Sequence, residues 1–354
     1  MRAARYYGKE DIRIEHDVPI AECGPDQIRV EPAFVGICGT DLHEFMGGPN
    51  FSPVHPHPVT RETIPITIGH EFSGTITEIG NNVGGDFKVG QRWRCSPRST
   101  AGAAVRAKSA PRMHVRMEGG GGGMSESVVL PAEACLPLPE GVDLDIGALV
   151  EPLSVAWHAV AASPLASLPA SEASVLVLGG GPIGLAVVQV LLAHGTKKII
   201  MSEVASQRQK FAREFGAHHV LDPRTYDLVK VSRELCNGNG PDIVFDCAGV
   251  PASLTTACQA TKARGTVVNV AIWEKDVPFN PNMLVFNEGK YLAVLGYQRV
   301  DFENVIKAIA DGRLKPHKMI TSRIKVEDVV DKGIWALVKE KDKHVKILVD
   351  MKAQ

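Results

Sequence analysis

Up to Cys135 the apolar positions come as short β-rich runs cut by Gly and Pro. Ile28–Ile37 is one such run, and Ile64–Ile79 reads as strand, Gly-His-Glu, strand. From Ser174 apolar strands alternate with helical periodicity. Strands are expected over Val175–Leu178, Ile199–Glu203, His219–Leu221, Ile243–Cys247, Thr266–Val270 and Leu292–Leu295. Helical patterns such as Ile183–Ala193, Gln207–Phe215 and Leu254–Lys262 stand between most of them. Six buried strands with crossover helices imply a parallel, doubly wound sheet with right-handed connections. Past Tyr297 a further helix, strand, helix and strand follow: Phe302–Ala310, Met319–Ile324, Val326–Val338 and Val345–Asp350. These exceed what that sheet can take and are expected to rejoin the first domain. The expected organisation is α/β: a β-rich domain over 1–157, completed by 299–354, and a doubly wound domain over 158–298.

At 354 residues the chain suits two domains with ample buried cores. Charged residues at 22% and hydrophobic ones at 44% are the profile of a soluble globular protein. Formal net charge is -1, so nothing global recruits nucleic acid or an anionic membrane. The opening residues lack the apolar core of a secretory signal, and no stretch has the apolar length of a membrane span. Seven scattered cysteines with no C-x-x-C pair read as reduced thiols, and a cytoplasmic location is expected.

The glycines carry more. The first of the six strands runs straight into Gly179-Gly180-Gly181-Pro182-Ile183-Gly184, and an apolar helical run follows. Gly179 permits a tight turn, Gly181 lets backbone approach a pyrophosphate, and Gly184 allows close helix–strand packing. Pro182 and Ile183 open the helix, whose unpaired N–H groups and positive dipole end favour phosphate. Glu203 lies nineteen residues past Gly184, at the end of the next strand. There it is placed to accept hydrogen bonds from ribose hydroxyls and to repel a 2′-phosphate, which favours NAD over NADP. Arg208 is a further candidate for the adenosine side. The bland alternative is a packing turn beside a solvated acid.

Cys38 follows an apolar strand in Gly36-Ile37-Cys38-Gly39-Thr40-Asp41-Leu42-His43. Far from it, Gly69-His70-Glu71 sits between two strands, and Glu151 opens a helical stretch in Val150-Glu151-Pro152-Leu153. Each has a plain reading: a buried thiol, a core histidine, and an acid favoured by a helix dipole. Together they include the donor types of a zinc site assembled from distant residues.

These segments, taken with the glycine fingerprint, closely resemble the zinc-containing medium-chain dehydrogenase/reductases over nearly the whole chain outside 92–117. Gly-Gly-Pro-Asn (47–50), His-Glu-Phe-Ser-Gly (70–74), Asp-Cys-Ala-Gly-Val (246–250) and Val-Asn-Val-Ala-Ile-Trp (268–273) look most like 2,3-butanediol dehydrogenases, particularly fungal ones. Sorbitol and xylitol dehydrogenases are close neighbours. The resemblance implies a GroES-like catalytic domain beside a Rossmann domain, and NAD-linked oxidation of a small diol or polyol. It implies one catalytic zinc on Cys38, His70 and Glu71, with Glu151 as a fourth ligand or a water-linked neighbour. Asp41 would orient His70 through its other ring nitrogen, and Thr40 and His43 would relay the substrate proton. Lys346 matches a basic family position near Glu71. The segment Tyr291–Gly296 resembles one that pairs across a dimer axis, so a homodimer or homotetramer is expected. Two rivals stand beside this reading. One is a zinc-free reductase of the same superfamily, against which the ligand set argues. The other is a non-catalytic nucleotide-binding or structural protein that kept the fold.

Segment 92–117 departs from the resemblance. Relatives commonly hold a structural zinc here on cysteines spaced C-x2-C-x2-C-x7-C. This chain has only Cys95, so as written that site is absent and a poorly ordered basic lobe is expected. Read one base earlier, a Cys codon arises wherever a codon starting GC or GT follows one ending in T. Ala101, Ala104, Ala107 and Val115 allow this, at the relatives' spacing. Trp93-Arg94-Cys95-Ser96-Pro97 likewise becomes compatible with Val-Ala-Val-Gln-Pro, an apolar strand. Two compensating frameshifts, in the gene or its record, would explain the segment; genuine divergence is the alternative.

Overall fold

The computed structural model describes residues 1–57, 61–95, 121–169, 171–273 and 275–353. Sequence expectations that fall on 96–117 therefore lie outside the described residues. The chain forms two compact units, Met1–Glu151 with His317–Gln354, and Pro152–Pro316. One boundary thus falls inside the helix Val150–Ala162, where the sequence pattern puts it after 157. The other falls at Pro316, where the pattern puts it at 298. The helix Arg299–Ala310 groups with the second unit because its Asp301 pairs with His158, 2.9 Å away, and Phe302 packs edge-on to Tyr297.

The first unit is built on strands β1 (Ala3–Gly8), β2 (Asp11–Glu15), β3 (Gln27–Gly36), β4 (Ile66–Thr67), β5 (Glu71–Ile79), β6 (Arg92–Cys95), β7 (Val128–Pro131) and β8 (Cys135–Pro137). The second carries β9 (Ser174–Leu178), β10 (Lys198–Ser202), β11 (His219–Leu221), β12 (Ile243–Asp246), β13 (Thr266–Asn269) and β14 (Lys290–Ala293). The chain then returns to the first unit with β15 (Ile320–Lys325) and β16 (Lys346–Asp350).

In the first unit a sheet runs β15-β16-β3-β5-β6-β8, with β7 also on β3, and a smaller one runs β2-β1-β4. β3 buries Ile28 and Val30 in alternation and, past a register shift at Pro32–Phe34, Val35, while β5 buries Phe72 and Ile76 in the same core. The returning residues Ile324, Ile347 and Val349 join the same core. Trp93 of β6 is fully buried and packs edge-on to Phe72, ring centroids 5.9 Å apart. Val326–Val338, which reads as one helix in sequence, is instead a 3₁₀ turn, a π-turn (Val329–Ile334) and a short α-helix (Trp335–Lys339). Gly333 lies in its middle, pressed against the side chains of Ile37 and Ile324. A helix-weakening residue at a tight contact is a common setting for such irregularity.

The second unit is a single parallel sheet ordered β11-β10-β9-β12-β13-β14, the doubly wound order whose ligands bind at the carboxyl ends of the strands. Its central strands β9, β10, β12 and β13 are apolar and buried, as parallel strands covered by helices must be, whereas the edge strands β11 and β14 are partly exposed. Among the described residues no helix is long and apolar enough to cross a membrane.

Candidate functional site

Three neighbouring strands of the first unit bring the predicted ligands together. β3 pairs with β5 so that Gly36 faces Glu71, and β16 lies on the other side of β3, Leu348 facing Gly36. The carboxyl end of β3 therefore delivers Cys38, the start of β5 delivers His70 and Glu71, and the start of β16 delivers Lys346. Gly69 turns the chain ahead of His70 with φ +95°, a conformation that glycine adopts without strain. A side chain on Gly36 would overlap the Glu71 carboxylate, so glycine there makes room for the acid.

Donor atoms of Cys38, His70 and Glu71 all lie within 4.8 Å of one another. Cys38 caps the helix Gly39–Gly47, and its backbone N–H donates to Asp41 Oδ2 at 2.8 Å. Asp41 Oδ1 faces His70 Nδ1 at 3.7 Å, too far for a hydrogen bond, and neither atom has another hydrogen-bond partner. Thr40 Oγ1 stands 3.4 Å from His70 Nε2, on the ring's other edge. Lys346, buried, donates from Nζ to both Glu71 oxygens, at 2.7 and 2.8 Å, and to the Ile37 carbonyl at 3.1 Å. Glu151, in the first turn of the helix Val150–Ala162, is buried but stands outside the three-donor cluster.

The electrostatics are those of a buried place short of positive charge. Burial alone would lower the His70 imidazole, yet the Cys38 sulfur and Asp41 carboxylate, with Glu151, raise it well above the ordinary histidine value. Burial likewise raises the Asp41 carboxyl. Burial works against the charged form of Lys346, but Glu71, Cys38 and Glu151 hold the ammonium above its usual range. One lysine among a thiol and three acids leaves an excess of negative charge, which a divalent cation would balance. Sulfur, imidazole and carboxylate donors together suit zinc, and three protein donors leave a position open for a substrate.

In the second unit the glycine run connects β9 to the helix Pro182–Ala193. Gly179 has φ +95°, and a side chain on Gly184 would overlap the Gly179 carbonyl, which fixes the close strand–helix packing expected of these positions. Gly181 caps the helix and Pro182 takes its first position, so Ile183 and Gly184 supply first-turn N–H groups. Glu203, just past β10, is buried and accepts from Gly180 N at 2.6 Å and from Ala205 N at 2.8 Å. Arg208 reaches the loop: a Cβ on Gly181 would lie 3.9 Å from its Nη1. His43 is exposed on the helix Gly39–Gly47, three residues after Thr40 and so on the same face. Sequence reasoning missed the double hydrogen bond from Lys346 to Glu71, the need for Gly36, and an Asp222–Arg224 pair close to Glu203. None of these leaves a local motif.

Residues 24–140 match the alcohol dehydrogenase GroES-like domain family, and residues 182–311 the zinc-binding dehydrogenase family. The chain is 40% identical over 353 residues to the (R,R)-butanediol dehydrogenase of Bacillus subtilis (strain 168), covering 99% of each chain. It is 34% identical to the (R,R)-butanediol dehydrogenase of Saccharomyces cerevisiae (strain ATCC 204508 / S288c), covering 99% of this chain and 98% of that one. The bacterial relative thus shares more residues than the yeast one. The X-ray crystal structure of 2R,3R-butanediol dehydrogenase from Bacillus subtilis superposes with a TM-score of 0.89 at 38% identity, over 99% of both chains.

Proposed function

The chain belongs to the zinc-binding dehydrogenases with a GroES-like domain, and from that premise we propose that it interconverts (2R,3R)-butanediol and acetoin with NAD. It is an oxidoreductase of the zinc alcohol dehydrogenase type. The observation that carries the reading is the Cys38–His70–Glu71 cluster inside a chain that matches butanediol dehydrogenases from end to end.

Cys38, His70 and Glu71 would hold the zinc. When bound, the metal supplies Lewis-acid stabilisation of negative charge on the substrate oxygen. Asp41, whose carboxylate faces His70 Nδ1 at 3.7 Å, would orient the ring once the two close to hydrogen-bond distance, the usual role of a carboxylate behind a ligating imidazole. Lys346 neutralises and aims Glu71. Thr40, beside His70 Nε2, would accept the substrate hydroxyl proton while giving up its own, which would pass by way of the nicotinamide ribose to His43, exposed on the same helix, and from there to solvent. Glu151 adds negative charge near the second hydroxyl of a vicinal diol. Gly179–Gly184 cradle the pyrophosphate, Glu203 holds the adenosine ribose, and Arg208 lines that side.

The reading includes a cytoplasmic location, in keeping with free thiols at the described cysteines. It also includes a homodimer, or a homotetramer built from such dimers, joined through β14. That strand ends the six-stranded sheet, and Val285, Phe286, Tyr291 and Leu295 around it are exposed. An exposed edge strand with apolar neighbours invites a second copy. Light scattering that finds a monomer at assay concentration overturns this part.

The test of the activity is NADH formation with (2R,3R)-butanediol, sorbitol and threonine, alongside zinc analysis of the purified protein. Butanediol is expected to give the highest kcat/KM, with one zinc per chain on these three ligands. Sorbitol as the better substrate would move the reading to a polyol dehydrogenase, and metal-free turnover would end it.

A further inference from the structure

Beside the acid that reads the ribose, the structure holds a cation locked to an acid of its own. β10 and β11 are parallel neighbours with Ser202 opposite Leu221, and Glu203 N donates to the Leu221 carbonyl at 3.0 Å. Their carboxyl ends therefore deliver Glu203 and Asp222 side by side. Arg224, two residues on, turns back. Its Nε donates to Asp222 Oδ1 and Oδ2 at 3.0 and 3.2 Å, its Nη2 to Oδ2 at 2.6 Å, and its backbone N–H to Oδ1 at 2.9 Å. The same Nη2 donates to the carbonyl of Val204, the residue after Glu203, at 2.5 Å. Gln209 closes the set, donating to the Glu203 carbonyl at 2.9 Å and to Asp222 Oδ2 at 3.4 Å.

We propose that the Asp222–Arg224 pair sets cofactor preference at the adenosine ribose, Asp222 withholding a guanidinium that would otherwise receive a 2′-phosphate. The proposal deepens the nucleotide reading of the second unit and rests on it. In doubly wound domains an acid at the end of the second strand selects the ribose diol, and a nearby arginine accommodates the 2′-phosphate. This chain carries both residue types within one residue of each other in space, and the arginine's fork is already taken by a carboxylate. A bidentate guanidinium–carboxylate pair leaves little for a phosphate that needs the same fork. Asp222 also offsets the charge of Arg224 beside the Glu203 carboxylate. The strength of the grip is visible in the Asp222 carboxyl, which the hydrogen bonds from Arg224 pull down to about 2. Arg224 is exposed and Asp222 mostly covered, so loss of the carboxylate would free the cation to swing while the loop keeps its other tie at Val204.

The alternative is a loop tie with no bearing on the ligand. The test uses binding rather than turnover, with 5′-AMP and 2′,5′-ADP as probes of the adenosine half, followed by calorimetry. Asp222→Asn is expected to improve 2′,5′-ADP relative to 5′-AMP by about fivefold or more, the scale of one gained charge contact near water. Arg224→Gln is expected to do the opposite, because Asp222 then stands unpaired near the phosphate. In the double variant Asp222→Asn/Arg224→Gln the gain is expected to vanish. A gain that survives in the double variant overturns the proposal, since it would come from removing negative charge alone. An unchanged probe ratio in both single variants overturns it as well. Wild-type protein that binds neither 5′-AMP nor NAD would instead bring down the nucleotide reading, and the proposal with it.

Discussion

Lys346→Met is the substitution whose cost follows most directly from the structure. The lysine is 3% exposed and its partner Glu71 1% exposed, and the ammonium makes three hydrogen bonds, two of them to the carboxylate. Methionine fills a similar volume but leaves the carboxylate buried without its cation. Removing one partner of a buried pair costs about 3–5 kcal/mol, because the remaining charge stays desolvated. That corresponds to roughly a 10²–10⁴-fold increase in opening of the surrounding strands. A dication held by Glu71 supplies the missing positive charge, so zinc-loaded variant should lose much less than metal-stripped variant. Hydrogen exchange of peptides spanning β3 and β5, with and without chelator, measures both. Unchanged protection in the stripped variant, or an equal loss in the two forms, would refute the account of Lys346 as the counter-charge of Glu71.

Cys38→Ser is expected to lose zinc and turnover while NAD affinity stays within about twofold, since Cys38 belongs to the first unit and the glycine loop to the second; retained stoichiometric zinc with full activity counts against the ligand assignment. Gly36→Ala should act on the metal from outside the ligand set, its methyl displacing the Glu71 carboxylate; zinc affinity is expected to drop at least about tenfold, and an unaltered affinity sinks the packing argument. Glu203→Ala should weaken NAD and raise NADP relative to it, as calorimetry would show; an unchanged preference removes Glu203 from that role. Resequencing the gene across codons 92–117, with peptide mass spectrometry of the protein, is expected to reveal cysteine codons at 101, 104, 107 and 115 in the alternative frame; their absence ends the frameshift explanation.

The parallel sheet was legible because its signal is local: apolar runs such as Val175–Leu178, punctuated by Gly179–Gly184, carry period and turn together. Strand ends slipped where the chain leaves the sheet without a breaker, as at β14, which begins and ends two residues before the Leu292–Leu295 pattern. Cys38, His70 and Glu71 were readable from the motifs around them. The resemblance put Lys346 near Glu71, but the two lie 275 residues apart, and it is the pairing of β16 with β3 that brings them into hydrogen-bond contact. Asp222 and Arg224 are two polar loop residues by sequence, and their meaning comes from the register of β10 against β11. The compact units divide at Pro316 rather than near residue 299 for a similar reason, since Asp301 pairs with His158, far back along the chain.

The insertion of the second unit between the halves of the first has a consequence for how the molecule is made. Strands β3 and β16 are adjacent, yet the whole of the parallel-sheet unit is synthesised between them. On a ribosome that unit is contiguous and free to fold as soon as it emerges, whereas the metal-holding half must wait with the carboxyl end of β3 unpaired on one side, β7 covering only its start. During that interval the sulfur, imidazole and carboxylate near β3 and β5 are in reach of ions before their lysine counter-charge has been translated. Metal capture and the last strand pairing are therefore expected to be coupled late events, and slow refolding after full denaturation should quicken when zinc is present from the start.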